Sequence, residues 1–256
     1  RDYKVTGVQT CALPICSAAG GDFISALSSF HGTIPIIIQR DYVLPSWWNP
    51  QWLVLSTSHS GNTEEALEAT ETALKLGATT VVISTGGVLS GLPEIYPKCF
   101  LLPSVGGQPP RTAFGHIFSR QLGLLRHIGV LPQPRDGADE AMFDRLQLAS
   151  EGFDILNDPD GDVAQLALCM LERPIALLGP TELQSALNRF KNQLNENSAR
   201  FARVGVIPEM NHNESVAWGG VGADQDASAV DHVLLLLTWQ GMHRQVSKRM
   251  DWMVAH

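Results

Sequence analysis

The sequence has 256 residues, 44% of them hydrophobic, enough for one or two domains with real cores. With 26 acidic against 18 basic side chains and a formal charge of −8, it lacks the footprint of a nucleic-acid binder, and an anionic ligand has to be held by local groups rather than by the field of the whole chain. No apolar run reaches the length of a bilayer, and the four cysteines (Cys11, Cys16, Cys99 and Cys169) form no CxxC pair or metal spacing, a usage that fits reduced thiols in the cytoplasm.

Residues 1–16 lack the charged-then-apolar layout of a signal peptide. Pro14 interrupts the only strand-like stretch, Ala12-Leu13-Pro14-Ile15, and the string from Val5 to Ile15 looks like the in-frame translation of a sequencing-library adapter. The segment is therefore read as non-native, with an opening strand and its glycine turn lost. Small residues at 17–22 then enter a helix running through Leu27, and a short apolar strand covers 33–39. A strand at 52–56 leads through Ser58-His59-Ser60-Gly61-Asn62-Thr63 into a helix at 64–76. Strands follow at 80–84, ending at Gly86-Gly87, and at 99–103; a helix at 112–128 is entered through Gln108-Pro109-Pro110-Arg111. Continuous apolar strands alternating with helices predict an α/β fold with a mostly parallel sheet covered on both faces.

Pro132-Gln133-Pro134-Arg135-Asp136-Gly137 reads as a linker, after which the pattern repeats. Helices at 139–153 and 163–171 precede a strand at 174–178. A long helix at 182–203 and a strand at 204–207 run into Pro208-Glu209-Met210-Asn211-His212-Asn213-Glu214. A strand at 233–237 and a basic helix at 243–254 close the chain. That helix has no C-cap glycine and no following strand, so the second unit is read as truncated at its C-terminus.

Four places carry chemistry. Three hydroxyls and a glycine between residues 58 and 63 stand at a helix start, where unpaired N–H groups and the positive end of the helix dipole favour a phosphate. The ordinary alternative is an N-cap with an acidic first turn. Glu196 sits between Asn195 and Asn197 inside the long second-half helix, where asparagine is a poor helix former; a wall facing a site and a solvated face are both open. Arg111 precedes a helix, where a surface residue or a helix-entry donor is the ordinary reading, and His212 follows a strand at the kind of edge where open α/β sheets bind ligands, with a structural histidine equally open. Together a carboxylate base, a fixed cation and a histidine suit the movement of a carbonyl between neighbouring carbons of a sugar phosphate: the base shuttles one proton, the cation steadies the enediolate, and the histidine opens the ring. No metal is needed, and no tight ligand cluster offers one a place.

The ordered motifs Ser58-His59-Ser60-Gly61-Asn62-Thr63-Glu64-Glu65, Pro110-Arg111-Thr112-Ala113-Phe114-Gly115, Asn192-Gln193-Leu194-Asn195-Glu196-Asn197 and Pro208-Glu209-Met210-Asn211-His212-Asn213-Glu214 resemble those of the bifunctional phosphoglucose/phosphomannose isomerases, built from two sugar isomerase (SIS) domains. The resemblance covers Ser17 to the C-terminus. It implies flavodoxin-like αβα units over 17–131 and 138–256, and an aldose–ketose isomerase that interconverts glucose 6-phosphate, and mannose 6-phosphate, with fructose 6-phosphate through a cis-enediol(ate), without metal or cofactor. It implies that Ser17, Ser58, Ser60 and Thr63 bind the substrate phosphate, that Glu196 shuttles the proton, that Arg111 stabilises the enediolate, and that His212 assists ring opening, if need be from the partner subunit. It further implies a cytoplasmic homodimer with shared active sites and no nucleic-acid or membrane partner. Two departures stand out: Leu13-Pro14-Ile15-Cys16 replaces a Gly-x-Gly-Gly turn, and the ring-opening lysine of the family falls past the last residue, a role not given to Lys248. Two readings compete. A non-catalytic SIS sugar-phosphate-binding regulator needs the hydroxyl loop but neither Glu196 nor Arg111, and another SIS enzyme, acting on an amino-sugar or pentose phosphate, is disfavoured by the Glu-Met-Asn-His-Asn-Glu segment.

Overall fold

The computed structural model describes residues 8–12, 15–219 and 226–255, with side chains from residue 18 onward. It forms two compact units, Arg1–Gln133 and Pro134–His256.

The first unit runs β1 (Val8–Ala12), α1 (Ile15–His31), β2 (Ile36–Gln39), β3 (Leu53–Thr57), α2 (Glu64–Lys75), β4 (Thr80–Ser84), α3 (Gly87–Ile95), β5 (Cys99–Pro103) and α4 (Phe114–His127). All neighbouring strands are parallel, in the order β2-β1-β3-β4-β5. This is a doubly wound order: the chain steps outward from β1 to β2, then returns past β1 to build the other half. α1 and α2, which follow β1 and β3, therefore pack on opposite faces of the sheet, and the switch point between them lies at the carboxyl ends of these strands. Every residue of β3 is buried. Leu53 and Leu55 turn to a cluster with Ile24 of α1 and Leu125 of α4, while Val54 turns to Ala69 and Ala73 of α2. A strand covered on both faces needs no polar alternation, which is why this stretch is apolar throughout.

The segment set aside as foreign contributes to this sheet. The backbone of Val8–Ala12 pairs with both β2 and β3 and fills the slot between them. The strand ends at Ala12, ahead of the stretch on which the reading from Pro14 turned, and Pro14 itself lies outside the described residues. A second correction is α3, absent from the sequence reading because Gly87, Gly91 and Pro93 are weak helix formers. Burial decides there: Leu89 and Leu92 pack with Val82, Ala66 and Cys99.

The second unit runs α5 (Ala138–Gly152), α6 (Asp162–Met170), β6 (Ile175–Pro180), α7 (Gln184–Ser198), β7 (Ala202–Ile207), α8 (Glu214–Ala217), β8 (Val233–Leu236) and α9 (Arg244–Ala255). Its parallel sheet has the order β7-β6-β8, with β6 central and buried along its whole length. The long helix expected at 182–203 ends at Ser198, where Ala199 adopts φ 52, ψ 35 and the Arg200 N–H closes back on the Leu194 carbonyl at 3.2 Å. Glu196 thus lies in the last turn, not in the interior. The asparagines beside it are at home there, because the carbonyls of a closing turn accept polar company. Among the described residues no helix is long and apolar enough to cross a membrane.

Leu55 joins the faces of α1 and α4 to the sheet and has no exposed surface. Leu55→Ala is expected to cost about 2–5 kcal/mol, read as a lower urea midpoint at unchanged m-value.

Candidate active site

The loop after β3 stands at this switch point. Ser58, delivered buried at the end of the strand, sets its Oγ 2.8 Å from Thr63 Oγ1 and accepts the Gly61 N–H at 3.1 Å. Ser60, exposed, accepts the Asn62 N–H at 3.2 Å. Thr63 is the N-cap of α2, yet its side chain makes no cap bond, since its hydroxyl is turned toward Ser58. The first-turn N–H groups of α2 therefore face the loop without a capping side chain, beside three hydroxyls. The chemistry this permits is the grip of a tetrahedral anion. Glu64 and Glu65 also lie in that first turn, so the grip has to come from directed hydrogen bonds at close range rather than from the dipole alone.

The loop is shaped by its neighbour, the turn between β4 and α3. Gly61 has φ 71, and a Cβ there would collide with the Gly86 carbonyl oxygen; one at Gly87, φ 70, would meet the Ser60 carbonyl. Across this contact Leu89 N–H donates to the Gly61 carbonyl at 3.0 Å and Val88 N–H to Asn62 Oδ1 at 3.0 Å, so the loop after β3 itself caps α3. Beneath it, Gln121 of α4, fully buried, donates to Thr57 Oγ1 at 3.1 Å, and Thr70 of α2 donates to Ser56 Oγ at 2.6 Å. Neither Gln121 nor Thr70 figured in the sequence reading. A lone polar residue on a helix carries no sign, in one dimension, of the strand end it supports.

Arg111 lies in a short 3-10 turn, Pro110–Thr112, and is exposed. Thr112 Oγ1 donates to the Pro109 carbonyl at 2.8 Å and ties the turn to the start of α4. The loop holding Arg111 follows β5, so it leaves the same carboxyl edge as the phosphate loop; the two meet where His59 Nε2 stands 3.2 Å from the Gln108 carbonyl. Ser17 falls in the first turn of α1, at the same edge, and its side chain lies outside the described residues.

In the second unit, Glu196 and His212 stand at opposite edges of the sheet. β6 and β7 are parallel neighbours, so α7 has to run back from the carboxyl end of one to the amino end of the other. Glu196, exposed, is therefore at the amino edge. Just past it, Arg200 donates to the carbonyls of Met170 and Arg173, which precede β6, and Asn195, with its amide turned to donate, reaches the Arg200 carbonyl at 2.7 Å. His212 ends a 3-10 turn, Glu209–His212, beyond the carboxyl end of β7. The six residues of β7 span about 17 Å between the two edges. Around His212 the motif ties itself together: Asn213 Nδ2 donates to Glu209 Oε1 at 2.7 Å, Asn211 Nδ2 to Ser215 Oγ at 3.1 Å, and Glu214 accepts the Trp218 indole N–H at 3.0 Å while pairing with Arg203 at 3.2 Å. His212 is presented on the outside of this knot, exposed.

Among the described residues no three His, Cys, Asp or Glu side chains come together to hold a metal ion. Burial pushes the Cys99 thiol up to about 11, which keeps it protonated and unfit as a nucleophile near neutral pH.

A family model described as the bacterial phospho-glucose isomerase C-terminal SIS domain matches residues 160–256. A bifunctional phosphoglucose/phosphomannose isomerase of Aquifex aeolicus is 30% identical over 242 residues, covering 92% of this chain and 69% of that protein. One from Caldicellulosiruptor bescii is 33% identical over 205 residues, 78% of this chain and 59% of that protein, so the chain spans somewhat more than half the length of these relatives. The solved structure of glucosamine-6-phosphate deaminase from Thermotoga maritima matches with a TM-score of 0.67 at 17% identity, covering 98% of this chain and 74% of that one, a likeness of fold.

Gly61→Ala adds a side chain where both the positive φ and the Gly86 carbonyl forbid one. It is expected to destabilise the protein by about 2 kcal/mol or more, measured by denaturant unfolding, and to weaken phosphate binding in calorimetry.

Proposed function

Since the chain belongs to the bifunctional phosphoglucose/phosphomannose isomerase family, we propose that it interconverts glucose 6-phosphate and mannose 6-phosphate with fructose 6-phosphate, in the cytoplasm, as a homodimer with SIS domains at 17–131 and 138–256. The observation that carries this reading is the uncapped start of α2, where the Ser58 and Thr63 hydroxyls stand 2.8 Å apart at the β1/β3 switch point. Ser58, Ser60, Thr63 and Ser17 hold the phosphate, which contributes binding energy remote from the reacting carbons and orients them.

Glu196 takes the proton from C2 of the open-chain aldose and returns it to C1, while the proton on the C2 oxygen ends on the C1 oxygen as the ketose carbonyl forms. The charge that develops on the oxygens of the cis-enediolate is met by the Arg111 guanidinium. Glucose 6-phosphate and mannose 6-phosphate differ at C2 alone, the carbon that becomes planar in the enediol, so one intermediate serves both. His212 carries the proton needed to open the ring. A carboxylate and a histidine at opposite edges of one sheet do not meet on one small sugar, which supports a site that takes Glu196 from one copy and His212 from the other.

A coupled assay that follows fructose 6-phosphate tests the reading: turnover is expected with each aldose phosphate. Binding of neither to the phosphate loop overturns it. Glu196→Gln is expected to lower kcat about 10²–10⁴-fold with hexose phosphate affinity kept, by calorimetry. Glu196→Gln and His212→Ala, each impaired alone, are expected to regain about a quarter of wild-type activity when mixed and allowed to exchange, because half of the dimers are then mixed and each holds one intact site of two. Mixtures no better than either variant would place both groups in one copy.

A further inference from the structure

The phosphate loop contains one side chain that the chemistry above leaves unused. His59 is 8% exposed, between the buried Ser58 and the exposed Ser60. Its ring nitrogen Nε2 lies 3.2 Å from the carbonyl oxygen of Gln108, a residue 49 positions along the chain. A carbonyl only accepts, so Nε2 carries the hydrogen. The other nitrogen, Nδ1, is buried and has no partner among the described residues. The main-chain carbonyl of His59 takes both the N–H and the hydroxyl of Thr85, at 3.1 and 2.7 Å. One residue thus joins the three loops that leave β3, β4 and β5.

Two features give this junction a purpose beyond packing. A phenylalanine ring would fill the same outline without an orphaned buried nitrogen, so the histidine is not what stability alone favours. And the residues between the anchored carbonyl and Arg111 are Pro109 and Pro110. Their φ is fixed by the pyrrolidine ring, Pro109 sits at φ −57, ψ 143, and the 3-10 turn closes on the Pro109 carbonyl. A stiff link of this kind transmits the position of Gln108 to Arg111 instead of absorbing it.

We infer that His59 is a positioning residue, whose bond to Gln108 sets the distance between the hydroxyls that hold the phosphate and the guanidinium that meets the enediolate. The inference rests on the isomerase reading for Arg111, but the tether has its own readout. Gln at 59 places an amide N–H where Nε2 stands; Asn is too short to reach, and Phe keeps the shape without the donor.

In the full chain, His59→Phe and His59→Asn are expected to speed amide exchange over residues 105–113, and His59→Gln to leave it near the wild-type rate. In turnover, the first two are expected to lower kcat about ten- to a hundredfold with KM changed less than about threefold, and His59→Gln to recover most of kcat. In an Arg111→Ala background, His59→Phe is expected to lower kcat no further. The inference is overturned by unchanged exchange in both His59→Phe and His59→Asn, by a rise in KM at constant kcat, or by His59→Gln behaving as His59→Phe. If the wild-type chain turns over neither aldose phosphate, the isomerase reading fails, and the exchange rates still decide the tether.

Discussion

The close approach of two backbone turns governs the first unit. The loop after β3 and the turn after β4 touch through Gly61 and Gly87, both with positive φ, at separations no side chain would fit. That contact lets Leu89 and Val88 donate into the loop, so α3 and the loop stabilise each other. In the same loop the Thr63 hydroxyl faces Ser58 instead of capping α2, leaving the start of that helix open. A loop of this kind can offer an anion main-chain N–H groups and hydroxyls at close range, without relying on a chain whose net charge of −8 repels anions.

The buried polar residues under the loop extend the same logic. Gln121 and Thr70 support the end of β3 from opposite faces of the sheet, one from α4 and one from α2. The bonds made by the Gln121 amide N–H and the Thr70 hydroxyl fix the strand end from which Ser58 projects, while Gln121 Oε1 stays buried without a partner among the described residues. The gap between α1 and α4 is equally tight: a Cβ on Gly20 would run into the Gln121 side-chain oxygen. His59 carries the support sideways, to the loop bearing Arg111.

The second unit separates its functional groups instead of gathering them. Parallel pairing of β6 and β7 obliges α7 to descend while β7 ascends, so Glu196 near the helix end and His212 past the strand end lie at opposite edges. The self-tied motif from Glu209 to Trp218 presents His212 outward, and the terminal turn of α7 does the same for Glu196.

Much of this was legible in one dimension because its causes are local. The strand at 80–84 and the helix at 64–76 follow from apolar runs and helix formers, and the hydroxyls before Glu64 mark a helix start whatever the fold. Glu196, Arg111 and His212 could be named because each sits in a motif of distinct composition. The rest depends on contacts between residues far apart in sequence. Val8–Ala12 reads as a poor strand alone and forms one because two parallel neighbours complete its hydrogen bonds. α3 overrides its glycines and proline through buried leucines. α7 stops early because Ala199 adopts a left-handed conformation that composition does not announce. Local spacing thus determined the chemistry on offer, an anion cradle, a carboxylate, a cation and a histidine. Only the tertiary structure decided which of them stand together, because edges of sheets and junctions between loops are made by chain segments that meet in space and leave no trace in the order of residues.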